Sequence, residues 1–101
     1  MATKITLFCS AGMSTSLLVN KMKEAAAAAG KDYEIAAYSL NEVDVEGPKA
    51  DVILVGPQVR FALEKLRKQF PDKPVDAIDM RSYGLMDGKS AVALAEKLLG
   101  K

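Results

Sequence analysis

The sequence predicts an α/β fold, with a single four-stranded parallel sheet and helices on both faces. Four β-rich segments alternate with segments of helical character, which is typical of parallel strands joined by helical crossovers. Residues 51–55 end in four consecutive apolar side chains, as expected for a strand that is covered on both faces. Because such crossovers are right-handed, the helices are expected on both sides of the sheet.

The first half of the chain predicts two strands with a helix between them. Residues 4–9 (KITLFC) and residues 33–38 (YEIAAY) are rich in strand-forming residues. Residues 14–29 have helical spacing, and Gly30 is typical of a helix end. The inner face of this helix is predicted from apolar residues spaced by four, three and four: Leu18, Met22, Ala25 and Ala29. The pattern of residues 39–49 is ambiguous and fits a short helical turn.

The apolar strand is followed by a second helix. Its predicted start is Gly56-Pro57 and its predicted end is Pro71, because proline suits the first turn of a helix and disfavours continuation. Its inner stripe consists of Val59, Leu63, Leu66 and Phe70. Residues 74–79 then predict the fourth strand, and residues 80–86 are predicted as a loop.

The last helix is predicted from its ends and its apolar stripe. Asp87 is a good N-cap residue and Gly100 a good stop. The stripe consists of Ala91, Leu94, Ala95 and Leu98. Ligands of parallel sheets bind beyond the carboxyl ends of the strands. Three predicted loops meet at that edge: 9–15, 56–58 and 79–87.

Composition narrows the possible functions. The 101 residues, interpreted as one domain over 1–101, carry a net charge of +1, which argues against nucleic-acid binding through bulk electrostatics. The absence of histidine excludes Ser–His–Asp and Cys–His catalysis and histidine-ligated metals within the chain. A single cysteine allows no intrachain disulfide and indicates a reducing compartment. Since no signal peptide or spanning helix is predicted, we expect a cytoplasmic protein. No residue pattern in the sequence requires a metal or a cofactor, so we expect neither.

The most informative stretch joins the first predicted strand to the first predicted helix. It consists of Cys9, Ser10, Ala11, Gly12, Met13, Ser14, Thr15 and Ser16. Small residues allow successive backbone N–H groups to face one point, and a helix N-terminus adds unpaired donors and partial positive charge. This combination binds a phosphoryl dianion and favours a thiolate, which is a nucleophile toward phosphorus. We therefore predict Cys9 as the nucleophile and residues 10–16 as its phosphate-binding loop.

Each of these residues also has a structural interpretation. A lone cysteine is more often a small buried hydrophobe, although a place at the end of a strand makes burial of Cys9 within the core less expected. The hydroxyl groups of residues 14–16 can simply cap the helix. The structural interpretation of Gly12 is that glycine allows a positive φ, and that of Met13 is packing in the core or at the loop tip.

Three segments resemble one protein family. They are LFCSAGMSTSLLV, VILVGPQV and IDMRSYGLMDG, and together they resemble the enzyme IIB component of the lactose/cellobiose/chitobiose class of the bacterial phosphoenolpyruvate-dependent sugar phosphotransferase system. The resemblance covers residues 3–99, its first motif is specific, and residues 39–49 match no family pattern. It implies a four-stranded parallel sheet flanked by helices, similar to that of low-molecular-weight tyrosine phosphatases.

The same resemblance implies a function, partners and a location. In that family, the cysteine after the first strand accepts a phosphoryl group from a phosphohistidine on the IIA component. It then passes the group to a sugar, of the cellobiose, chitobiose or lactose type, that is held by the membrane permease IIC. By position, Cys9 is the phosphocysteine, and residues 10–16 surround it. The implied location is the cytoplasm, with transient contact to the inner face of the membrane through IIC, and neither cofactor, metal nor nucleic acid is implied.

Two other functions compete with this one. Low-molecular-weight tyrosine phosphatases follow the pattern Cys-x5-Arg-Ser/Thr, but Thr15 occupies the arginine position here. The acid that such a hydrolase needs could be Asp79 or Asp87, which are better explained as a strand-end turn residue and a helix N-cap. A flavin-binding module is disfavoured because Tyr83 is the only aromatic residue of the edge loops. A phosphate monoester hydrolase is therefore the main alternative.

Overall fold

The computed structural model describes residues 2–9 and 13–100, and for Met13 and Ser14 it describes the backbone alone. Within these residues four strands form one sheet: Thr3–Cys9 (β1), Tyr33–Ser39 (β2), Val52–Val55 (β3) and Val75–Ala77 (β4). Their order in space is β2-β1-β3-β4, and all neighbouring strands are parallel. The predicted parallel sheet is thus confirmed, although β4 is shorter than the predicted 74–79.

The register of the strands aligns their carboxyl ends. Cys9 of β1 lies opposite Ser39 of β2, and Phe8 lies opposite Val55 of β3. The backbone N–H of Gly56 donates a hydrogen bond to the carbonyl of Phe8 at 3.0 Å, which continues the ladder one residue beyond β3. The residues that follow β1, β2 and β3 therefore start from one edge of the sheet, which we call the carboxyl edge.

Helices cover both faces of the sheet. The described α-helices are Met13–Ala28 (α1), Val43–Glu46 (α2), Leu63–Gln69 (α3), Met80–Gly84 (α4) and Gly88–Leu98 (α5). Helices α1 and α5 pack against one face, and α3 packs against the other together with the 3-10 turn Pro57–Ala62. Helices therefore lie on both faces, as predicted.

The buried side chains form an apolar cluster on each face. The cluster under α1 and α5 includes Ile5, Leu7, Leu18, Met22, Val52, Leu54 and Ala95. The cluster under α3 includes Phe8, Ile53, Val55, Val59, Leu63, Leu66 and Phe70. Neighbouring residues of β1 and β3 contribute to opposite clusters because side chains alternate along a strand. All four residues of the predicted inner stripe of the second helix are buried.

The inner face of α1 differs from the prediction in its second half. Leu18 and Met22 are fully buried as predicted, but Ala26 is the buried alanine, whereas Ala25 is half-buried and Ala29 is exposed. Two successive steps of four residues keep Leu18, Met22 and Ala26 on the side of the helix that faces the sheet. A run of five alanines has no local signal that could select the buried member.

The end of α1 confirms the role of Gly30. Its φ is +70°, which favours glycine, and its N–H donates to the carbonyl of Ala27 at 3.0 Å. The N–H of Lys31 donates to the carbonyl of Ala26 at 2.9 Å. These two bonds form the closing motif that glycine commonly gives to a helix.

Two segments have more helix than the sequence predicts. Residues 80–86, predicted as a loop, contain α4, because the side chain of Asp79 accepts a hydrogen bond from the N–H of Ser82 and so caps a helical turn. Residues 39–49, which were ambiguous, contain α2 with a 3-10 turn on each side of it. The predicted helix after Pro57 begins as a 3-10 turn, kinked at Val59, and becomes α-helical only at Leu63.

Candidate active site

Cys9 lies at the carboxyl end of β1 with only 4% of its surface exposed. The expectation that a strand end would keep it out of the core is therefore wrong: β2 pairs with this end of β1, and side chains from α4 and from the turn after β3 lie next to the sulfur. The residue nevertheless lines a cavity at the carboxyl edge of the sheet. Cys9 is therefore both buried and next to a space that a substrate group can enter.

Side chains from two other segments approach the sulfur. The hydroxyl oxygen of Tyr83, on α4, lies 3.8 Å from Cys9 Sγ. The Oε1 atom of Gln58, just after β3, lies 3.9 Å from it and can accept from the thiol. Gly56 leaves room for this arrangement, since a methyl group there would lie 3.3 Å from Cys9 Sγ and 3.0 Å from Gln58 Oε1.

Thr15 joins the same group through Tyr83. Its Oγ1 atom lies 2.9 Å from the Tyr83 hydroxyl, and either oxygen can be the donor. Thr15 is 2% exposed and Tyr83 is 5% exposed, so this hydrogen bond is shielded from water. Thr15 was predicted as part of the phosphate-binding loop or as a helix cap, and in the structure its hydroxyl contacts a residue 68 positions later in the chain.

The cavity beside Cys9 has a volume of about 160 Å³. Its lining residues come from β1, α1, β2 and the turn after β2: Cys9, Thr15, Ser16, Ala37, Tyr38, Ser39 and Glu42. None of these described residues is basic. The carboxylate of Glu42 accepts a hydrogen bond from the N–H of Ser39 at 3.1 Å, while Ser39 Oγ accepts from the N–H of Asn41. This reciprocal capping holds Glu42 at the rim of the cavity.

The sequence prediction missed the contribution of β2 to this edge. The loops after the first, third and fourth strands were expected to meet at the carboxyl edge, but the segment after the second strand was not included. A signal was present, because Ser39 and Glu42 have the S-x-x-E spacing of a capping box directly after a predicted strand. Gln58 was likewise part of a recognised motif without an assigned role.

Asp79 and Asp87 serve as helix caps. Asp79 caps α4, and the side chain of Asp87 accepts from the N–H of Ser90 at 3.0 Å and so caps α5, as the sequence predicts for Asp87. Hydrogen bonds from the side chain and backbone of Ser82 hold the pKa of Asp79 below its ordinary 3.8, and Ser90 lowers the pKa of Asp87 in the same way. Both carboxylates are therefore ionised at neutral pH, and neither lines the described cavity.

The rest of the predicted phosphate-binding loop is only partly described. Ser10, Ala11 and Gly12 lie outside the described residues, as do the side chains of Met13 and Ser14. Ser16 lines the cavity. Helix α1 begins at Met13, and Thr15 in its first turn reaches the Cys9 cavity, so the N-terminus of this helix lies at the carboxyl edge.

The chain is similar to a set of bacterial transport proteins. Residues 4–94 match the family described as the lactose/cellobiose-specific IIB subunit of the phosphotransferase system. The galactose-specific EIIB component of Lactococcus lactis subsp. cremoris is 49% identical, over 98% of this chain and 99% of the relative. The cellobiose-specific EIIB component of Lactococcus lactis subsp. lactis has the same identity and coverage. The oligo-beta-mannoside-specific EIIB component of Bacillus subtilis is 45% identical over 95% of both chains.

Solved structures agree with these relatives. The solution structure of the cellobiose-specific IIB component from Borrelia burgdorferi matches with a TM-score of 0.80 and 31% identity, over 97% of this chain and 92% of the other. The lactose-specific IIB domain from Streptococcus pneumoniae matches with a TM-score of 0.82, over 97% and 98% of the two chains, and its 16% identity makes it a match of fold alone. Within the described residues, no helix is both long and apolar enough to cross a membrane.

Proposed function

The chain belongs to the family of lactose/cellobiose-specific IIB subunits of the sugar phosphotransferase system, and from this membership we propose that Cys9 is the residue that carries the phosphoryl group. Members of the family are phosphotransferase components, and the proposal is that one residue holds the transferred group covalently. The observation that carries the proposal is the position of Cys9, which lines the cavity at the carboxyl edge, next to the start of α1. Cys9 is also the only cysteine of a chain without histidine.

In the first step, the Cys9 thiolate attacks the phosphorus of a phosphohistidine on the IIA component. The sulfur–phosphorus bond forms and the nitrogen–phosphorus bond breaks, and the electron pair of that bond goes to the imidazole nitrogen of IIA. Backbone N–H groups of residues 10–16 and the positive end of α1 are proposed to hold the phosphoryl oxygens. This arrangement requires no basic side chain in the cavity and no metal.

In the second step, a hydroxyl oxygen of the sugar attacks the same phosphorus. The oxygen–phosphorus bond forms, the sulfur–phosphorus bond breaks, and the electron pair returns to Cys9 as the thiolate while the hydroxyl proton passes to water. We propose that the sugar is held by the IIC permease, which brings the chain transiently to the cytoplasmic face of the membrane. Relatives named for galactose and for cellobiose are equally similar to this chain, so the similarity does not select one sugar. The sugar is proposed only as a class, a β-glucoside of the cellobiose, chitobiose or lactose type.

The geometry favours a carrier over a hydrolase. The arginine position of phosphatases is filled by Thr15, whose hydroxyl contacts Tyr83. The two aspartates that could supply a general acid, or a general base for water, cap helices instead, and neither lines the described cavity. Among the described residues around this site, a phosphocysteine therefore finds neither the arginine nor the aspartate acid–base group that aids hydrolysis by water.

Phosphoryl labelling tests the proposal directly. Phosphorylated IIA should transfer one phosphoryl group to the protein, and peptide mass spectrometry should place it on Cys9. The Cys9→Ser variant should take up none while keeping the circular dichroism spectrum of the wild type. Full labelling of that variant, or a label on another residue, would overturn the proposal.

A second measurement separates the carrier from a phosphatase. The purified protein alone should give negligible turnover of para-nitrophenyl phosphate, and the phosphorylated form should persist in water until IIC and sugar are added. Hydrolysis of aryl phosphates at the ~1–10³ s⁻¹ usual for enzymes would replace the carrier with the phosphatase function.

A further inference from the structure

We propose that Tyr83 is a positioning residue of the relay, which receives a hydrogen bond from Thr15 and donates one to the Cys9 sulfur whenever that sulfur is a thiolate. The inference rests on the proposed role of Cys9 and adds to it a residue that acts on the sulfur itself. It comes from a hydrogen-bonded series of three residues. Thr15 Oγ1 lies 2.9 Å from the Tyr83 hydroxyl, and that hydroxyl lies 3.8 Å from Cys9 Sγ.

The number of protons available decides which residue donates in each of these hydrogen bonds. A thiolate has no proton and can only accept, so the Tyr83 hydroxyl must donate to Cys9 when Cys9 is ionised. Tyr83 has a single hydroxyl proton, so its lone pair is then free to accept from Thr15. The threonine hydroxyl has one proton to give, so Thr15 donates to Tyr83 and Tyr83 donates to Cys9.

The neutral thiol has a different partner. Its proton can be donated to Gln58 Oε1, which lies 3.9 Å from the sulfur and is an acceptor. The thiol thus donates to Gln58, whereas the thiolate accepts from Tyr83. Burial of Cys9 by itself disfavours the charged form, because little of the residue's surface is exposed. Donation from Tyr83 counteracts this penalty.

The fold places the Tyr83 hydroxyl without relying on a flexible loop. Asp79 caps the helix that carries Tyr83, and the Tyr83 N–H donates to the Asp79 carbonyl at 3.0 Å. The tyrosine ring belongs to the apolar cluster under α1 and α5. Its Cε2 atom lies 3.5 Å from the position of a methyl group built on Gly56, so the ring is also close to the end of β3. The 3.8 Å separation from sulfur is long, as catalytic contacts often are before the reactants bind.

This donor acts at both steps of the relay. During charging, the transfer of the phosphoryl group from IIA to Cys9, the Tyr83 hydroxyl increases the fraction of Cys9 that is thiolate at neutral pH. In discharge, the electron pair of the breaking sulfur–phosphorus bond returns to sulfur, and the Tyr83 hydroxyl stabilises the charge that develops there. A hydrogen bond to a charged group of this kind changes an equilibrium or a rate by roughly tenfold or more.

The test removes the hydroxyl and keeps the ring. In Tyr83→Phe, the midpoint of the pH profile of Cys9 alkylation by iodoacetamide should move up by about one pH unit. Phosphoryl transfer from IIA to Cys9 should be roughly tenfold slower at pH 7 and should approach the wild-type rate above the new midpoint. Phosphoryl transfer from Cys9 to the sugar should be slower at every pH. The matched control is Tyr33→Phe, which also loses a tyrosine hydrogen bond, to Glu96, but lies at the opposite edge of the sheet. It should leave the alkylation profile unchanged.

Thr15→Val provides a second variant, because it removes only the donor to Tyr83. Its alkylation midpoint should move in the same direction by a smaller amount, and it decides the question if Tyr83→Phe proves poorly folded by circular dichroism. An unchanged midpoint in the folded variants would overturn the inference, as would a loss of charging rate that is the same at every pH. Alkylation does not depend on IIA, so failure of the Cys9 proposal, seen as labelling of Cys9→Ser, is distinguishable from failure of this one.

Discussion

Ser39 lies directly opposite Cys9 in the parallel register of β1 and β2. The turn that follows Ser39 therefore begins beside the proposed phosphoryl acceptor and brings the Glu42 carboxylate to the cavity. A carboxylate in this position opposes the entry of free anions. We therefore expect the cavity to bind inorganic phosphate weakly.

Glu42→Gln should strengthen binding of inorganic phosphate at the cavity. Glutamine keeps the capping box with Ser39, so the fold should be preserved, while the loss of one negative charge should increase phosphate affinity by roughly two- to tenfold. Protection of Cys9 against iodoacetamide, measured over a range of phosphate concentrations at low salt, reports this affinity. Glu34→Gln is the control, since that carboxylate is exposed and pairs with Lys4. Equal protection in the wild type and Glu42→Gln would contradict the prediction.

Gly56→Ala should impair phosphoryl transfer more than stability. The backbone of Gly56 has φ −68° and ψ 155°, which any residue adopts, so the fold should tolerate the change. The added methyl group crowds Cys9 Sγ and Gln58 Oε1, and displacement of the nucleophile should slow charging by roughly ten- to a hundredfold. Transfer from phosphorylated IIA measures the rate. Gly84→Ala, where a methyl group meets no atom within 4 Å, should charge like the wild type.

Gly88→Ala should destabilise the fold. A methyl group on this first residue of α5 would overlap the backbone of Lys21 and Met22 in α1, and a backbone cannot move aside as a side chain end can. We expect a loss of about 2 kcal/mol or more in the free energy of unfolding, measured by urea denaturation. The same measurement on Gly84→Ala should stay within about 0.5 kcal/mol of the wild type. Equal stability of the two variants would refute the tight contact between α1 and α5.

Thr6→Val should stabilise the protein. Thr6 is fully buried in β1, and its hydroxyl oxygen has no hydrogen-bond partner among the described residues. Replacing the hydroxyl by a methyl group of similar shape removes the cost of keeping it away from water, so the free energy of unfolding should rise by about 1 kcal/mol. Thr15→Val should have the opposite effect, because that hydroxyl does make a hydrogen bond. A lower urea midpoint for Thr6→Val would contradict the prediction.

Asp79 and Asp87 should make stability fall in acid. Their pKa values are lower in the folded protein than the ordinary 3.8, so their contribution is complete above that value and is lost as pH falls through the lowered pKa. Asparagine still caps a helix but does not titrate. The double variant Asp79→Asn/Asp87→Asn should therefore lose less stability between pH 5 and pH 2 than the wild type, as measured by urea unfolding. Asp32→Asn, on the exposed turn after α1, is the control and should follow the wild type.

Much of the fold, and the place of Cys9 in it, could be predicted from the sequence. The strands, the helix end at Gly30 and the cap at Asp87 depend on interactions between residues a few positions apart, which leave local patterns. The place of Cys9 at the carboxyl end of β1 follows from the same patterns. The helical turn in 80–86 was missed because Asp79 was interpreted as a turn residue and not as a cap.

Only the tertiary structure decided what surrounds Cys9. The order β2-β1-β3-β4 makes Ser39 its neighbour, and the docking of α4 brings Tyr83 to Thr15 across 68 positions of sequence. The same packing, and not helix periodicity alone, selects Ala26 as the buried alanine of α1. Such contacts depend on how whole elements fit over the sheet, and residues far apart in the chain leave no periodic signal of their meeting. The sequence therefore determined the proposed reactive residue, and the packing of the sheet and helices determined which groups lie next to it.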